Sequence, residues 1–111
     1  MSVTGDLIRG HTDAIILSRL LLGDSYGYEI NKTISTLSTG RFELKEATLY
    51  TAFKRLEDQG FIASYWGDSG AGARRRYYTI TPQGRSASHR LTAEWLETRE
   101  IMDKLLIQEV D

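Results

Sequence analysis

Ala47-Thr-Leu-Tyr-Thr-Ala-Phe-Lys-Arg-Leu-Glu-Asp-Gln-Gly60 is followed by Phe61-Ile-Ala-Ser-Tyr-Trp66, a glycine-rich stretch, and Arg74-Arg-Arg-Tyr-Tyr-Thr-Ile-Thr-Pro82. Leu49, Ala52, Phe53 and Leu56 recur at the spacing of one helical face, and Gly60 supplies the left-handed position that closes a helix. The spacing predicts a helix over residues 45–59, starting at Lys45. Thr48, Thr51, Lys54 and Arg55 then face outward, with Tyr50 on the flank. Residues 61–66 and 75–81 are rich in β-branched and aromatic side chains on either side of a Gly-rich turn. They read as a hairpin whose long tip is mobile when free. A polar-faced helix beside a hairpin with three adjacent cations suits a major groove and its neighbouring phosphates.

Two helices are expected before this block. Residues 6–22 read as one helix stopped by Gly23, and its apolar residues run most of the way round. Such a helix must be buried on several sides. Asp24 and Ser25 are cap candidates for a second helix, in which Ile30, Thr33, Ile34 and Leu37 follow the helical template and Gly40 marks the end. After the hairpin, Thr81-Pro82 is a strong helix start. The following helix reaches about residue 109, roughly 28 residues or about 42 Å. Leu91, Trp95, Thr98, Met102 and Leu105 form a seam spaced 4, 3, 4, 3, the coiled-coil interval. So long a seam has no room on a domain of this size, so a second copy of the chain is its expected partner. The expected fold class is mainly α with a small β-hairpin. Residues 1–81 form a winged helix-turn-helix DNA-binding domain and 82–111 a dimerisation helix.

The chain of 111 residues has no Cys, which excludes disulfides, thiol catalysis and Cys-based zinc sites and accords with a reducing cytoplasm. No apolar run approaches a membrane span, and the first residues lack a signal-peptide pattern. Net charge is −1, but it is unevenly placed. Residues 41–90 hold 9 basic and 5 acidic side chains, whereas 91–111 hold 2 and 6. The middle of the chain can therefore face DNA while the C-terminal helix faces elsewhere.

Each constellation has a plainer reading beside the functional one. The outward face of the third helix is either a solvated surface or a base- and phosphate-reading face. Arg74, Arg75 and Arg76 either blunt a sheet edge or meet phosphates, which would relieve their mutual repulsion. Trp95 is either an interface anchor or a flat wall for an aromatic ligand. Trp66 reads as wing-to-core packing. His11 and His89 are far apart and near no Cys, so no metal site is expected. No phosphate loop, nucleophile elbow or carboxylate pair points to an enzyme, and no cofactor is expected. The competing class is a protein-interaction module that uses the helical seam without DNA.

Taken in order, the motifs 47–50, 53–57, 60–62, 64–66 and 74–81, with Tyr26-Gly-Tyr-Glu-Ile30 before them, resemble the PadR family of bacterial transcriptional regulators. The likeness covers about Leu7 to Leu106, and the single C-terminal helix resembles its small subfamily. That resemblance implies a homodimeric repressor on an inverted-repeat operator. Some members bind flat aromatic drugs between the subunits and control efflux. By position it implies DNA contact at Tyr26, Tyr50, Lys54, Arg55 and Arg74 to Arg76, and the outward side of the third helix adds Lys45, Thr48 and Thr51 to the expected DNA-binding set. It also implies a ligand wall at Trp95, Leu7, Gly10, Asp13 and Ala14. Arg99 stands where multidrug members carry an acid, which weakens a preference for cationic ligands unless Asp13 and Glu94 compensate. Ala73 stands where the family often has Gly, which would stiffen the tip.

Overall fold

The computed structural model describes residues 3–68 and 74–108. The expected tip, including Ala73, lies outside the described residues; the last helix, expected to reach about residue 109, ends at Leu106, where Ile107 turns extended. The elements run α1 (Val3–Arg9), α2 (Thr12–Leu20), β1 (Ser25–Tyr26), α3 (Gly27–Leu37), α4 (Glu46–Asp58), β2 (Ile62–Asp68), β3 (Arg74–Ile80) and α5 (Pro82–Leu106).

The expected first helix is two. Gly10, a poor helix former, and His11 interrupt it; the His11 amide turns back to the Ile8 carbonyl at 2.8 Å, and Thr12 Oγ1 donates to the Arg9 carbonyl at 2.7 Å. α2 supplies the fully buried Ile16, Leu17 and Leu20, Ile8 of α1 packs against the core's edge, and Leu22 is exposed. The second helix also starts later than expected. Ser25 pairs with Tyr78 and Tyr26 with Tyr77, so the proposed cap residues belong to a short strand or its approach. The Asp24 carboxylate instead accepts from the Tyr65 hydroxyl at 2.6 Å. Hydrogen bonds from Thr79 and Tyr65 hold the Asp24 carboxyl below its ordinary pKa.

α4 lies where the apolar spacing places it. Leu49, Ala52, Phe53 and Leu56 are buried, and Gly60 adopts φ +79° just beyond the helix. The link from α3 to α4 is held from inside: the Asn31 amide donates to the Leu44 carbonyl at 2.7 Å and accepts from the Leu44 amide at 2.8 Å. This clamp fixes α4 against α3. The sheet order is β1-β3-β2, antiparallel, with Ile62 opposite Ile80, Ser64 opposite Tyr78 and Trp66 opposite Arg76.

Period-two alternation turns Tyr78 and Ile80 inward, and Tyr78 stacks on Phe53 at 3.9 Å between centroids. Burial raises the Tyr78 hydroxyl pKa. Trp66, expected to pack wing on core, does not. It is 57% exposed, because β2 has by then run past the helices, and Tyr78 fills the core position instead.

α5 is capped as its sequence indicates, with Thr81 Oγ1 accepting from the Gly84 amide at 3.0 Å. Its first turns pack on the body through Ala87, Ser88 and Leu91; from Thr92 to Gln108 every residue is exposed. The Ser88 hydroxyl is buried and has no hydrogen-bond partner among the described residues. Ser88→Ala is therefore expected to raise unfolding free energy by about 1 kcal/mol, since a buried unpaired hydroxyl opposes folding. Urea denaturation checks this; lower stability would show that the hydroxyl is satisfied.

Candidate nucleic-acid interface and adjoining cavity

Three groups of side chains converge around α4 and the wing. The outward stripe of α4 carries Thr48, Thr51 and Arg55, three and four residues apart, with Lys54 beside them. Lys45 is exposed at the helix start, and Thr51, Lys54 and Arg55 are exposed along it. Lys54 makes only a long contact of 3.5 Å with Asp58, one turn on. Tyr50 lies edge-on to Phe53 at 5.6 Å, half-exposed, with its hydroxyl beside Gly27. A Cβ at Gly27 would sit 2.9 Å from that hydroxyl, so glycine there lets Tyr50 lie against the start of α3.

The wing does not present its three arginines alike. Alternation sends Arg75 to one face and Arg74 and Arg76 to the other. Arg75 lies over the Tyr26 ring at 4.3 Å, and Tyr26, Tyr77 and Tyr65 form a row of rings, at 5.5 and 5.6 Å between centroids. That row brings Tyr26 and Arg75, far apart in sequence, into one place. Arg74 lies over Trp66 at 5.7 Å. Arg76 is held internally: it donates to Glu57 at 3.2 Å and to Ser64 at 2.9 Å, and Ser64 donates to Glu57 at 3.0 Å. This triangle ties the wing to α4, so helix and wing present one surface. Arg55 is likewise held by a carboxylate. It donates through Nε and Nη2 to the two oxygens of Asp13, at 3.2 and 2.5 Å. The Asp13 bond raises the Arg55 pKa.

Behind α4 lies a cavity of about 430 Å³, walled by the α1–α2 break, the end of α4 and one face of α5. Gly10, Asp13, Ala14 and Trp95, four of the expected ligand residues, line it together. Leu7 and Arg99 do not: both are exposed, outside this cavity and its neighbour. A second hollow of about 270 Å³, mostly apolar, lies on the other side of Trp95 between Ile8, Ala14, Ile15 and Leu91. His11 meets the Trp95 ring edge-on at 5.2 Å and borders both hollows. The sequence pattern singles out His11 only as an unlikely metal ligand; the helix break that aims it at Trp95 is signalled solely by Gly10. Asp13 gives its carboxylate to Arg55, so of the two acids expected to offset Arg99 only Glu94 is without that engagement. Among the described residues no cluster of His, Asp or Glu could hold a metal, and no helix is long and apolar enough to cross a membrane.

The helices α2, α3 and a clamped α4, with a wing beside α4 and a long terminal helix, define a winged-helix DNA-binding protein. The model of the transcriptional regulator PadR-like family matches residues 16–90, and this chain belongs to that family. It is 48% identical over 101 residues to an uncharacterized protein of Lysinibacillus sphaericus, covering 91% of this chain and 93% of that one. A transcriptional regulator from Clostridium thermocellum shares the fold with a TM-score of 0.84 and 44% identity, covering 97% and 99% of the two chains. A PadR family transcription regulator from Clostridium difficile has a TM-score of 0.75 and 36% identity, over 86% and 98%. The protein is thus a DNA-binding transcriptional regulator of a family that is not enzymatic.

Proposed function

We propose that the protein is a homodimeric repressor that grips an inverted-repeat operator and lets go when a planar aromatic effector occupies the space beside Trp95. The exposed half of α5 carries this reading. Trp95, Leu96, Ile101, Met102, Leu105 and Leu106 are all more than two-fifths exposed on the part of α5 that lies beyond its packed first turns. A soluble chain leaves so long an apolar face uncovered only for a partner, and a second α5 is complementary to it. Pairing there sets Trp95 of one subunit near its twin and encloses the hollows that flank it.

The DNA-facing set is then Lys45 just before α4, Thr48, Tyr50, Thr51 and Lys54 on it, with Tyr26, Arg74 and Arg75 on the wing side. The carboxylate-held Arg55 and Arg76 start from a different electrostatic state. The effector acts by favouring one spacing of the two heads over the other, since a ligand indifferent to spacing shifts nothing. A stress-response or efflux gene is the expected target.

The test has two arms. Binding to duplex DNA is expected to weaken steeply as salt rises, and a reporter under the operator is expected to be silenced. A flat salt response sinks the DNA reading and favours a module that only docks proteins. Planar aromatic dyes are expected to quench tryptophan fluorescence, with Trp95→Ala abolishing most of the quenching and leaving DNA affinity within about threefold, a shift of under roughly 1 kcal/mol. Quenching that survives Trp95→Ala assigns Trp95 to packing.

A further inference from the structure

Arg55 forms a wall common to two spaces. One is the cavity that holds Gly10, Asp13, Ala14 and Trp95. The other is a shallow groove along the outward stripe of α4, bordered by Thr12, Ala47, Thr48 and Thr51. Its guanidinium spans the boundary and is bound by Asp13, 42 residues away in sequence, through two hydrogen bonds. Asp13 stands in the first turn of α2 and Arg55 in the last turn of α4. The pair therefore joins the cavity wall to the end of the helix that carries the DNA-facing stripe.

We propose that Asp13 is a positioning residue for DNA binding: it holds Arg55 off the phosphate backbone and neutralises it, so that loss of the pair adds a cation to the DNA-facing surface. This rests on the reading of α4 as the DNA-facing helix. A phosphate offers a guanidinium the same two-oxygen geometry that Asp13 offers, so carboxylate and DNA compete for the same N–H groups. The pair is open to solvent on both sides, with side chains 46% and 31% exposed, and pairs so exposed are weak and exchange readily. While it persists, Arg55 releases no counterion on meeting DNA; once the carboxylate is removed, it does. The same carboxylate faces the cavity, so whatever occupies that space and bonds Asp13 acts on DNA affinity without touching DNA.

The experiment follows binding of the full chain to a random-sequence DNA duplex across a range of salt. Asp13→Asn, nearly isosteric, is expected to steepen the slope of log K against log salt by about 0.9 per subunit. Affinity at about 0.1 M salt then rises by roughly threefold to tenfold. Asp13→Glu is expected to stay near wild type, and the gain is expected to vanish when Asp13→Asn is combined with Arg55→Ala. An unchanged slope in Asp13→Asn, or a gain that survives Arg55→Ala, overturns the proposal. A merely structural pair would lower the melting temperature and leave the slope alone. Should Asp13→Asn not fold, Arg55→Ala alone decides: the proposal expects a slope close to wild type, and a loss of about 0.9 overturns it. A wild-type chain with no salt response overturns the DNA reading of α4 together with this inference. A steep wild-type response with a flat Asp13→Asn effect overturns this inference alone.

Discussion

Replacing Arg74 and Arg75 together by alanine is expected to weaken DNA binding by roughly one to two orders of magnitude at about 0.15 M salt, and to flatten the salt slope by about 1.8 per subunit. The magnitude follows from counting the cations on the proposed DNA-facing surface that have no carboxylate partner among the described residues. Arg75 is stacked on Tyr26 and Arg74 lies over Trp66; ring faces orient a guanidinium while leaving its charge and its N–H groups available. Arg76 differs. Glu57 and Ser64 take the N–H groups of its Nη2, and its charge is offset at 3.2 Å. Arg76→Ala is therefore expected to change the slope little and to lower stability instead, because it opens the triangle that fastens the wing to α4. Slope measurements on the three single variants separate these roles. Equal slope losses at all three positions would show that the Glu57 pair dissolves on DNA and that the wing is read as an undifferentiated run of cations.

Adjacency makes the three arginines look alike in the sequence, and strand alternation makes them unlike in the fold. The same contrast runs through the molecule. Patterns that depend on local spacing were legible: the α4 face, its closing glycine, the hairpin, and the Thr81-Pro82 start of α5 lie where their periodicity or cap chemistry puts them. Features decided by contacts remote in sequence were not. A two-residue β1 has no period of its own, and exists because Tyr26 and Ser25 can pair with β3. Trp66 looked like core because aromatic strand residues usually are; its exposure depends on how far the hairpin outruns the helices. The Asp13–Arg55 bridge joins two residues with separate expected roles, one in a ligand wall and one on DNA. No spacing rule relates positions 42 apart.

These remote contacts bear on how α4 is held against the rest of the fold. α4 is fastened on three sides: to α3 and its following loop by Asn31 and Leu44, to the wing by Glu57, Ser64 and Arg76, and to α2 by Asp13. The first is a neutral double hydrogen bond from a half-buried amide. The third is a solvent-exposed ion pair beside a cavity. Exposed ion pairs contribute about 0–1 kcal/mol and are screened by salt, so the Asp13–Arg55 and Glu57–Arg76 pairs are the ties that added salt weakens, while the shared core keeps α2 against α4.

Gly84→Ala is expected to destabilise the fold by about 3 kcal/mol and to lower the melting temperature by roughly 12–20 °C. Two effects oppose each other at this position. Gly84 lies in the first turns of a 25-residue helix, where alanine would ordinarily gain up to about 1 kcal/mol over glycine. Against this, a Cβ at Gly84 would sit 2.0 Å from the Phe61 carbonyl oxygen and 2.8 Å from Ile80 Cγ1. Backbone cannot turn aside as a side-chain end can, so the overlap prevails. That carbonyl already accepts from the Thr81 amide at 3.0 Å, and the preceding Gly60 carbonyl accepts from Thr81 Oγ1 at 2.7 Å. The end of α4, the start of β2 and the start of α5 are thereby held at one crossing. This crossing sets the angle at which α5 leaves the winged-helix body, and with it, in the proposed dimer, the separation of the two heads. A fraction of Gly84→Ala that still folds is accordingly expected to bind an inverted-repeat operator less well than its folded content accounts for, while binding to random-sequence duplex scales with folded protein. Thermal melts with both DNA probes check this. Unchanged or raised stability would mean that α5 does not seat against Phe61. Parallel losses on both probes would mean that the crossing stabilises the fold without setting the spacing of the heads.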